Sequence, residues 1–107
     1  AILSKMGERG QIKGGAIIDG PLALDVAIDK ESVEIKGITG EVAGDADCIL
    51  FPNIESGNVF YKTNTKLAGA ELGALVFGAK VPCILSSRGD STKTKLYSIA
   101  LGALMAK

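Results

Sequence analysis

Residues 86–91 form a short segment whose side chains could bind phosphate. The segment reads Ser-Ser-Arg-Gly-Asp-Ser and joins the apolar run Val81–Leu85 to a predicted helix. The guanidinium of Arg88 offers a planar fork of donors that matches phosphate oxygens, and the free amides at a helix N-terminus favour an anion. The hydroxyl of Ser87 and the carboxylate of Asp90 are close to it in sequence. The pattern predicts a phosphate site centred on Arg88.

The same segment also has a purely structural interpretation. Asp90 or Ser91 could cap the following helix, because short polar side chains at that position accept hydrogen bonds from its first amides. Arg88 could then form an exposed ion pair with a surface carboxylate. The residue types alone leave both interpretations open.

A second candidate anion site lies at the start of a helix predicted over residues 54–67. Ser56, Gly57 and Asn58 fall near its beginning, and Lys62 follows one turn after Asn58. Amides and a lysine in this arrangement could face an anion. From the residue types alone we favour the alternative, in which Gly57 permits close backbone approach and Asn58 caps the helix.

A third candidate segment, Asp19, Gly20 and Pro21, follows the apolar run Ala16–Ile18. This triplet is typical of a tight turn in which the aspartate bonds to its own backbone. On residue types alone the turn is the preferred interpretation.

The absence of histidine from the sequence excludes several classes of enzyme. A Ser-His-Asp or Cys-His hydrolase cannot be built from this chain alone, and neither can a histidine-ligated metal site. The Gly-Lys-Ser/Thr of a phosphate-binding P-loop is missing, and so is the Gly-x-Gly-x-x-Gly pattern. Any proton transfer must therefore use a carboxylate, Lys, Tyr, Cys or the substrate itself.

Helices are predicted where apolar residues recur at helical spacing. The predicted segments are residues 1–6, residues 22–36 with a break near Asp29, residues 54–67 and residues 92–106. The apolar positions that predict the last helix are Leu96, Ile99, Ala100, Ala103 and Leu104.

Four apolar runs are predicted as strands, at residues 16–18, 47–51, 73–77 and 81–85. Strands that alternate with helices indicate an α/β fold with a mainly parallel sheet flanked by helices. Ligands of such sheets bind outside the carboxyl ends of the strands, and all three candidate segments follow predicted strand ends.

The composition limits the class of protein. The 107 residues are 47% hydrophobic, which suits one small domain, and 12 basic residues balance 12 acidic ones, so no nucleic-acid partner is expected. No apolar run approaches the roughly 20 residues that span a bilayer, and we expect neither a membrane partner nor a secretory signal, but a cytoplasmic protein. Cys48 and Cys83 stand far apart in apolar surroundings, which predicts buried, reduced thiols.

Four segments together resemble the phosphate acetyl/butyryltransferase family. They are Ile18–Asp25 (Ile-Asp-Gly-Pro-Leu-Ala-Leu-Asp), Val42–Asp47 (Val-Ala-Gly-Asp-Ala-Asp), Phe51–Lys62 (Phe-Pro-Asn-Ile-Glu-Ser-Gly-Asn-Val-Phe-Tyr-Lys) and Ser87-Arg88. The resemblance covers nearly the whole chain. Its most specific pieces are Asp-Gly-Pro-Leu and Ser-Gly-Asn-x-x-Tyr-Lys.

The resemblance implies both an architecture and an activity. Family members are longer chains with two α/β domains and an active site in the cleft between them, and residues 1–107 resemble their C-terminal acyltransferase domain. They exchange a short-chain acyl group between acyl phosphate and coenzyme A. Coenzyme A is a substrate, and neither a metal nor a resident cofactor is implied. We expect the enzyme to be a homo-oligomer, and this piece of it could be inactive alone.

The resemblance also implies roles for individual residues. Ser87 and Arg88 would lie at the reacting centre, with Arg88 on the phosphate of the acyl phosphate and Ser87 bonded to the thiol or the carbonyl. The substrate-binding positions that it implies are Asp19, Gly20, Pro21, Ser56, Gly57, Asn58 and Lys62.

One position departs from the acetyltransferase branch of the family. There, an aspartate six residues after the arginine is assigned as the base toward the coenzyme A thiol, and the residue here is Thr94. Asp90 is the nearest carboxylate in sequence and becomes the catalytic candidate, with helix capping as its alternative role. The Ser-Arg-x-Asp-Ser pattern and Pro82 look closer to the butyryltransferase branch, which favours an acyl group longer than acetyl.

Two other functions remain open at this stage. The acyltransferase of phospholipid synthesis that forms acyl phosphate from acyl carrier protein has a similar Gly-Asn-x-x-x-Lys piece, although it lacks the Asp-Gly-Pro-Leu context. A noncatalytic α/β binding or assembly module is the second alternative, because the chain is short.

Overall fold

The chain folds as two compact units of short helices and irregular connecting segments. A computed structural model describes residues 1–106. The first unit is Ala1–Leu50, and the second begins at Phe51. Within residues 1–106, no helix is long and apolar enough to cross a membrane.

The first unit contains three helices, α1 (Ile2–Glu8), α2 (Leu24–Ile28) and α3 (Lys30–Lys36). Asp29 separates α2 from α3 because its backbone is extended, with φ −129° and ψ 116°. Its carboxylate accepts a hydrogen bond of 2.9 Å from the amide of Ser32 and so caps α3. The break predicted near this residue is confirmed.

A small core in the first unit forms around α2. Val26 and Ala27 are buried, with 4% and 8% of their surface exposed. The amides of Gly44 and Ala46 donate to the carbonyl oxygens of Val26 and Ala27 at 2.7 and 3.0 Å. Gly44 has a φ of +76°, and a Cβ atom there would lie only 2.9 Å from Cγ of Lys30, so only glycine fits this approach.

The second unit contains the two longest helices, α4 (Ile54–Lys66) and α5 (Thr92–Met105). Asn53 caps α4 by accepting a hydrogen bond of 2.9 Å from the amide of Ser56. Ser91 caps α5 in the same way, with 3.1 Å between its hydroxyl and the amide of Thr94. Both helices lie where the sequence predicts them.

The buried face of α5 consists of its small residues. Ser98 is fully buried and Gly102 is also buried. The hydroxyl of Ser98 accepts from the amide of Ala74 at 3.0 Å and donates to the carbonyl oxygen of Thr94 at 2.8 Å. A Cβ atom at Gly102 would lie 2.6 Å from Cδ1 of Ile84. These two positions let the helix approach residues 74 and 84 closely.

The apolar residues that predict α5 do not form its buried face. Leu96, Ile99 and Leu104 are 61%, 56% and 79% exposed. Among the described residues these three side chains stay largely uncovered, and the helix packs through its small residues instead.

The predicted parallel sheet is not confirmed. Within residues 1–106 no strand forms, and one isolated antiparallel bridge pairs Val76 with Cys83. A strand requires a neighbouring backbone to satisfy its amide and carbonyl groups. Among the described residues, run 47–51 has no such neighbour and run 81–85 has one only at Cys83. Leu50 and Leu85 are largely exposed.

The prediction that both cysteines are buried is wrong. Both thiols are free, as predicted, but Cys48 is exposed and Cys83 is half-buried. Burial of Cys48 requires atoms packed against the run 47–51, and the described residues do not supply them.

Candidate active site

Asp90 closes the segment 86–91 into a turn. Its amide donates to the carbonyl oxygen of Ser87 at 3.1 Å, and its Oδ2 accepts from the Ser87 amide at 2.7 Å. Its Oδ1 accepts from the hydroxyl of Tyr61 on α4. Lys66 on the same helix donates from Nζ to the carbonyl oxygen of Gly89 at 3.1 Å. Helix α4 therefore holds the turn at two points.

The protonation states of Asp90 and Tyr61 follow from these contacts. The hydrogen bond from Tyr61 lowers the pKa of Asp90, helped by the Ser87 amide and the positive charges of Lys62 and Lys66. The same bond raises the pKa of Tyr61. Asp90 is therefore ionised and Tyr61 protonated at neutral pH.

The effect of this bond on stability has a defined pH window. The stabilisation of the fold by this hydrogen bond is fully present at pH values between the ordinary pKa values of the two groups, 3.8 for Asp90 and 10.0 for Tyr61. The stabilisation is lost as pH falls through the lowered pKa of Asp90, or as pH rises through the raised pKa of Tyr61.

The side chains of Ser87 and Arg88 project from the turn into solvent. Both residues are exposed. Within residues 1–106 the guanidinium of Arg88 forms no ion pair, so its interpretation as half of a surface ion pair is not supported. The cap of α5 is Ser91, so Asp90 does not serve as the cap. Arg88 is a cation held on an ordered turn and open to an anionic ligand.

A cavity of about 540 Å³ lies beside the turn, and Ser87 and Arg88 contribute to its lining. Its volume falls within the roughly 300–1,000 Å³ that is usual for small-molecule sites. Leu72, Ala74 and Leu85 supply an apolar wall. The cavity combines the Arg88 side chain with apolar surface, which suits a ligand that has a negatively charged end and a hydrocarbon end.

The polar residues near the start of α4 have different environments. The amide and hydroxyl of Ser56 are used in the cap, on the side chain and carbonyl oxygen of Asn53. Asn58 is exposed inside the helix, so its interpretation as the cap is wrong; Asn53 lies nearer the helix end and has the extended backbone that a cap needs. The ammonium group of Lys62 lies 4.1 Å from the centre of the Tyr61 ring. Lys62 thereby places a positive charge near Asp90.

The fold does not require glycine at position 57. A Cβ atom there would lie 3.6 Å from Cβ of Phe51, an ordinary van der Waals distance. We expect Gly57→Ala to raise the free energy of unfolding by about 1 kcal/mol, because alanine is the better helix former. If a substrate passes over this position, the added methyl group will also lower kcat/KM. Urea unfolding and steady-state kinetics of the full-length protein measure both effects.

Gly102→Ala is the matched control for this prediction. A Cβ atom there would come within 2.6 Å of Ile84, so this variant should lose stability. Destabilisation by Gly57→Ala would contradict the geometry at position 57.

Asp19, Gly20 and Pro21 form a turn in the first unit. Oδ1 of Asp19 accepts from the amide of Gly20 at 2.7 Å, which confirms the predicted bond between the aspartate and its own backbone. The carbonyl oxygen of Gly20 accepts from the hydroxyl of Ser4 at 2.9 Å, and the peptide bond before Pro21 is cis. The nearby cavity of about 440 Å³ is lined by three carboxylates, including that of Asp19, which disfavours a bound anion.

The structure thus brings together four of the seven candidates of the second unit. Ser87, Arg88 and Asp90 share one turn, and Lys62 lies beside the tyrosine that binds Asp90. Tyr61 is not among the site residues predicted from the sequence. The motif Ser-Gly-Asn-x-x-Tyr-Lys contains Tyr61 directly before Lys62, and this position could have identified Tyr61 as a site residue. No group of three or more acidic or cysteine side chains among residues 1–106 is arranged to hold a metal ion.

Comparison with known proteins places the chain in a family. The family described as phosphate acetyl/butaryl transferase matches residues 2–103. The chain belongs to this family. The chain is 56% identical over 106 residues to phosphate butyryltransferase of Clostridium acetobutylicum, and the match covers 99% of this chain and 35% of that protein. It is 52% identical over 106 residues to phosphate acetyltransferase of Thermotoga maritima, with coverage of 99% and 36%.

One solved structure also matches the chain. The chain is similar to the crystal structure of a branched-chain phosphotransacylase from Enterococcus faecalis V583, with a TM-score of 0.81 and 35% sequence identity. The match covers 99% of this chain and 40% of that one. The chain therefore spans about a third of the length of the curated relatives that it matches.

Proposed function

We propose that the full-length protein exchanges a short-chain acyl group between acyl phosphate and coenzyme A, and that residues 1–107 are a C-terminal acyltransferase domain. The observation that supports this most directly is Arg88, which is unpaired among the described residues and held on an ordered turn beside a cavity with an apolar wall. Family membership and the names of the relatives agree with this proposal.

In the proposed reaction, the sulfur of coenzyme A attacks the carbonyl carbon of the acyl phosphate. The bond between that carbon and the phosphate oxygen breaks, and inorganic phosphate leaves with the electron pair and takes up the proton that the thiol loses. Arg88 binds the phosphate and stabilises the charge that develops on it, while the Ser87 hydroxyl bonds to the thiol or the carbonyl. Positioning and charge stabilisation suffice, so no covalent enzyme intermediate is required.

The acyl group in this proposal is longer than acetyl. Support comes from the wall of Leu72, Ala74 and Leu85, because apolar surface next to Arg88 can bury the hydrocarbon chain of an acyl phosphate. The resemblance of Ser-Arg-x-Asp-Ser to the butyryltransferase branch also supports an acyl group longer than acetyl.

The proposal also includes a parallel sheet in the full-length enzyme. Runs 47–51 and 81–85 are apolar, exposed and mostly unpaired among residues 1–106, which is how strands look without their neighbours. A cytoplasmic location and a homo-oligomeric state stay predictions from the sequence.

The test is an acyl transfer assay of the full-length protein with acetyl, butyryl and branched acyl phosphates. We expect transfer that requires both coenzyme A and acyl phosphate, with kcat/KM higher for butyryl or branched groups than for acetyl. Residues 1–107 assayed alongside should be inactive. Absence of transfer with every acyl phosphate would contradict the proposal and favour a binding module, and dependence on acyl carrier protein would favour the enzyme of phospholipid synthesis.

A further inference from the structure

Tyr61 connects α4 to the turn that presents Ser87 and Arg88. Its hydroxyl donates to Oδ1 of Asp90, and Oδ2 of the same carboxylate accepts from the Ser87 amide at 2.7 Å. One carboxylate therefore transmits the position of a helix side chain to the backbone of Ser87. Tyr61 and Asp90 both contribute to the lining of the cavity beside Arg88.

The geometry is unsuited to proton transfer by Asp90. Both of its oxygens already accept hydrogen bonds, Oδ1 from the Tyr61 hydroxyl and Oδ2 from the Ser87 amide. A general base works best when its pKa lies near the working pH, whereas the contacts of Asp90 lower its pKa below the ordinary 3.8 of an aspartate. A coenzyme A thiol, like other thiols with a pKa near 8.5, would not yield its proton readily to such a group.

The geometry also argues against Tyr61 as the base. Its proton is donated to a carboxylate, and this bond raises its pKa above 10.0, so the phenolate is scarce at neutral pH. What the hydroxyl can do is restrict Asp90 to one rotamer. That rotamer is the one in which Oδ2 reaches the Ser87 amide.

We propose that Tyr61 is a positioning residue, which acts through Asp90 to fix the turn that presents Ser87 and Arg88 to substrate. The inference rests on the proposed acyl transfer. Asp90 is, in this account, the link between Tyr61 and the turn and not the base. Helix α4 carries Tyr61, and Tyr61 holds Asp90. Asp90 in turn holds the Ser87 amide and so orients the side chains of Ser87 and Arg88.

Tyr61→Phe in the full-length enzyme tests the inference. Loss of a hydrogen bond to a charged group is expected to lower kcat/KM for acyl phosphate by about tenfold, while KM for coenzyme A stays unchanged. Tyr97→Phe is the matched control, because the Tyr97 hydroxyl also donates to a carboxylate, at 3.0 Å, but to that of Glu71 instead of Asp90. The melting temperature of both variants shows whether either has lost its fold.

Two further variants separate positioning from catalysis. If Tyr61 acts through Asp90, Tyr61→Phe will cause almost no further loss of kcat/KM in an Asp90→Asn background. The pH profile of kcat/KM should keep its shape in Asp90→Asn and fall uniformly. Loss of its acidic limb would instead identify Asp90 as the base and overturn the inference.

The remaining outcomes are equally decisive. Multiplicative losses in the double variant, or a Tyr61→Phe enzyme that matches the wild type, would overturn the inference while the proposed function stands. A wild-type enzyme without acyl transfer activity would overturn the proposed function, and the inference with it.

Discussion

Arg88→Lys is expected to lower kcat/KM for acyl phosphate by about 100-fold or more while leaving the melting temperature unchanged. Lysine retains the charge but lacks the planar fork of donors that binds two phosphate oxygens at once. Removal of one such stabilising group from an active site costs about 10² to 10³ in rate. The fold should be unaffected, because the guanidinium makes no ion pair within residues 1–106. Steady-state kinetics of the full-length enzyme and a thermal melt measure the two effects.

The control for this substitution is Arg9→Lys. Arg9 and Arg88 are the two arginines of the sequence, and Arg9 is an exposed residue at the end of α1 in the other unit. Arg9→Lys should leave both kinetics and stability unchanged. Equal kinetics for wild type and Arg88→Lys would exclude Arg88 as the phosphate ligand.

The amides of residues 81 and 83–85 report on the proposed sheet, and Pro82 between them has no exchangeable hydrogen. In the full-length enzyme we expect these amides to exchange with deuterium about a thousand times more slowly than in the chain of residues 1–107. The proposed sheet would give them hydrogen-bond partners, and opening a core strand costs on the order of the stability of the whole domain, ~5 kcal/mol or more. Mass spectrometry of peptic peptides that contain this run measures the difference.

The internal reference for hydrogen exchange is the middle of α5. Its amides bond within the helix whether or not a sheet is present, so their exchange should change far less between the two proteins. Run 47–51 should behave like run 81–85. If the amides of both runs exchange as fast in the full-length enzyme as in residues 1–107, the two runs are not sheet strands.

The helices could be predicted because their signals are local. A cap such as Asn53 or Asp29 bonds to an amide three residues away, so the sequence nearby contains all the information that is needed. The break between α2 and α3 was predictable for the same reason. The tight turn at Asp19 is likewise a bond between neighbours.

The features that could not be predicted depend on residues far apart in the chain. The pairing of Tyr61 with Asp90 spans 29 residues, and the contact between Ala74 and Ser98 spans 24. A pattern search also favours large apolar residues as the buried face of a helix, whereas α5 packs through Ser98 and Gly102. The strands depend on neighbours in the same way, and apolar runs alone do not provide them.

The small core around Val26 and Ala27 has a thermodynamic consequence. The heat capacity increase on unfolding comes mainly from apolar surface that is newly hydrated. Side chains such as Leu85 and Leu104 are 70% and 79% exposed already, so residues 1–107 on their own gain little heat capacity when they unfold. Their stability therefore varies almost linearly with temperature, without the pronounced maximum that a large apolar core gives a protein, and their melting is gradual.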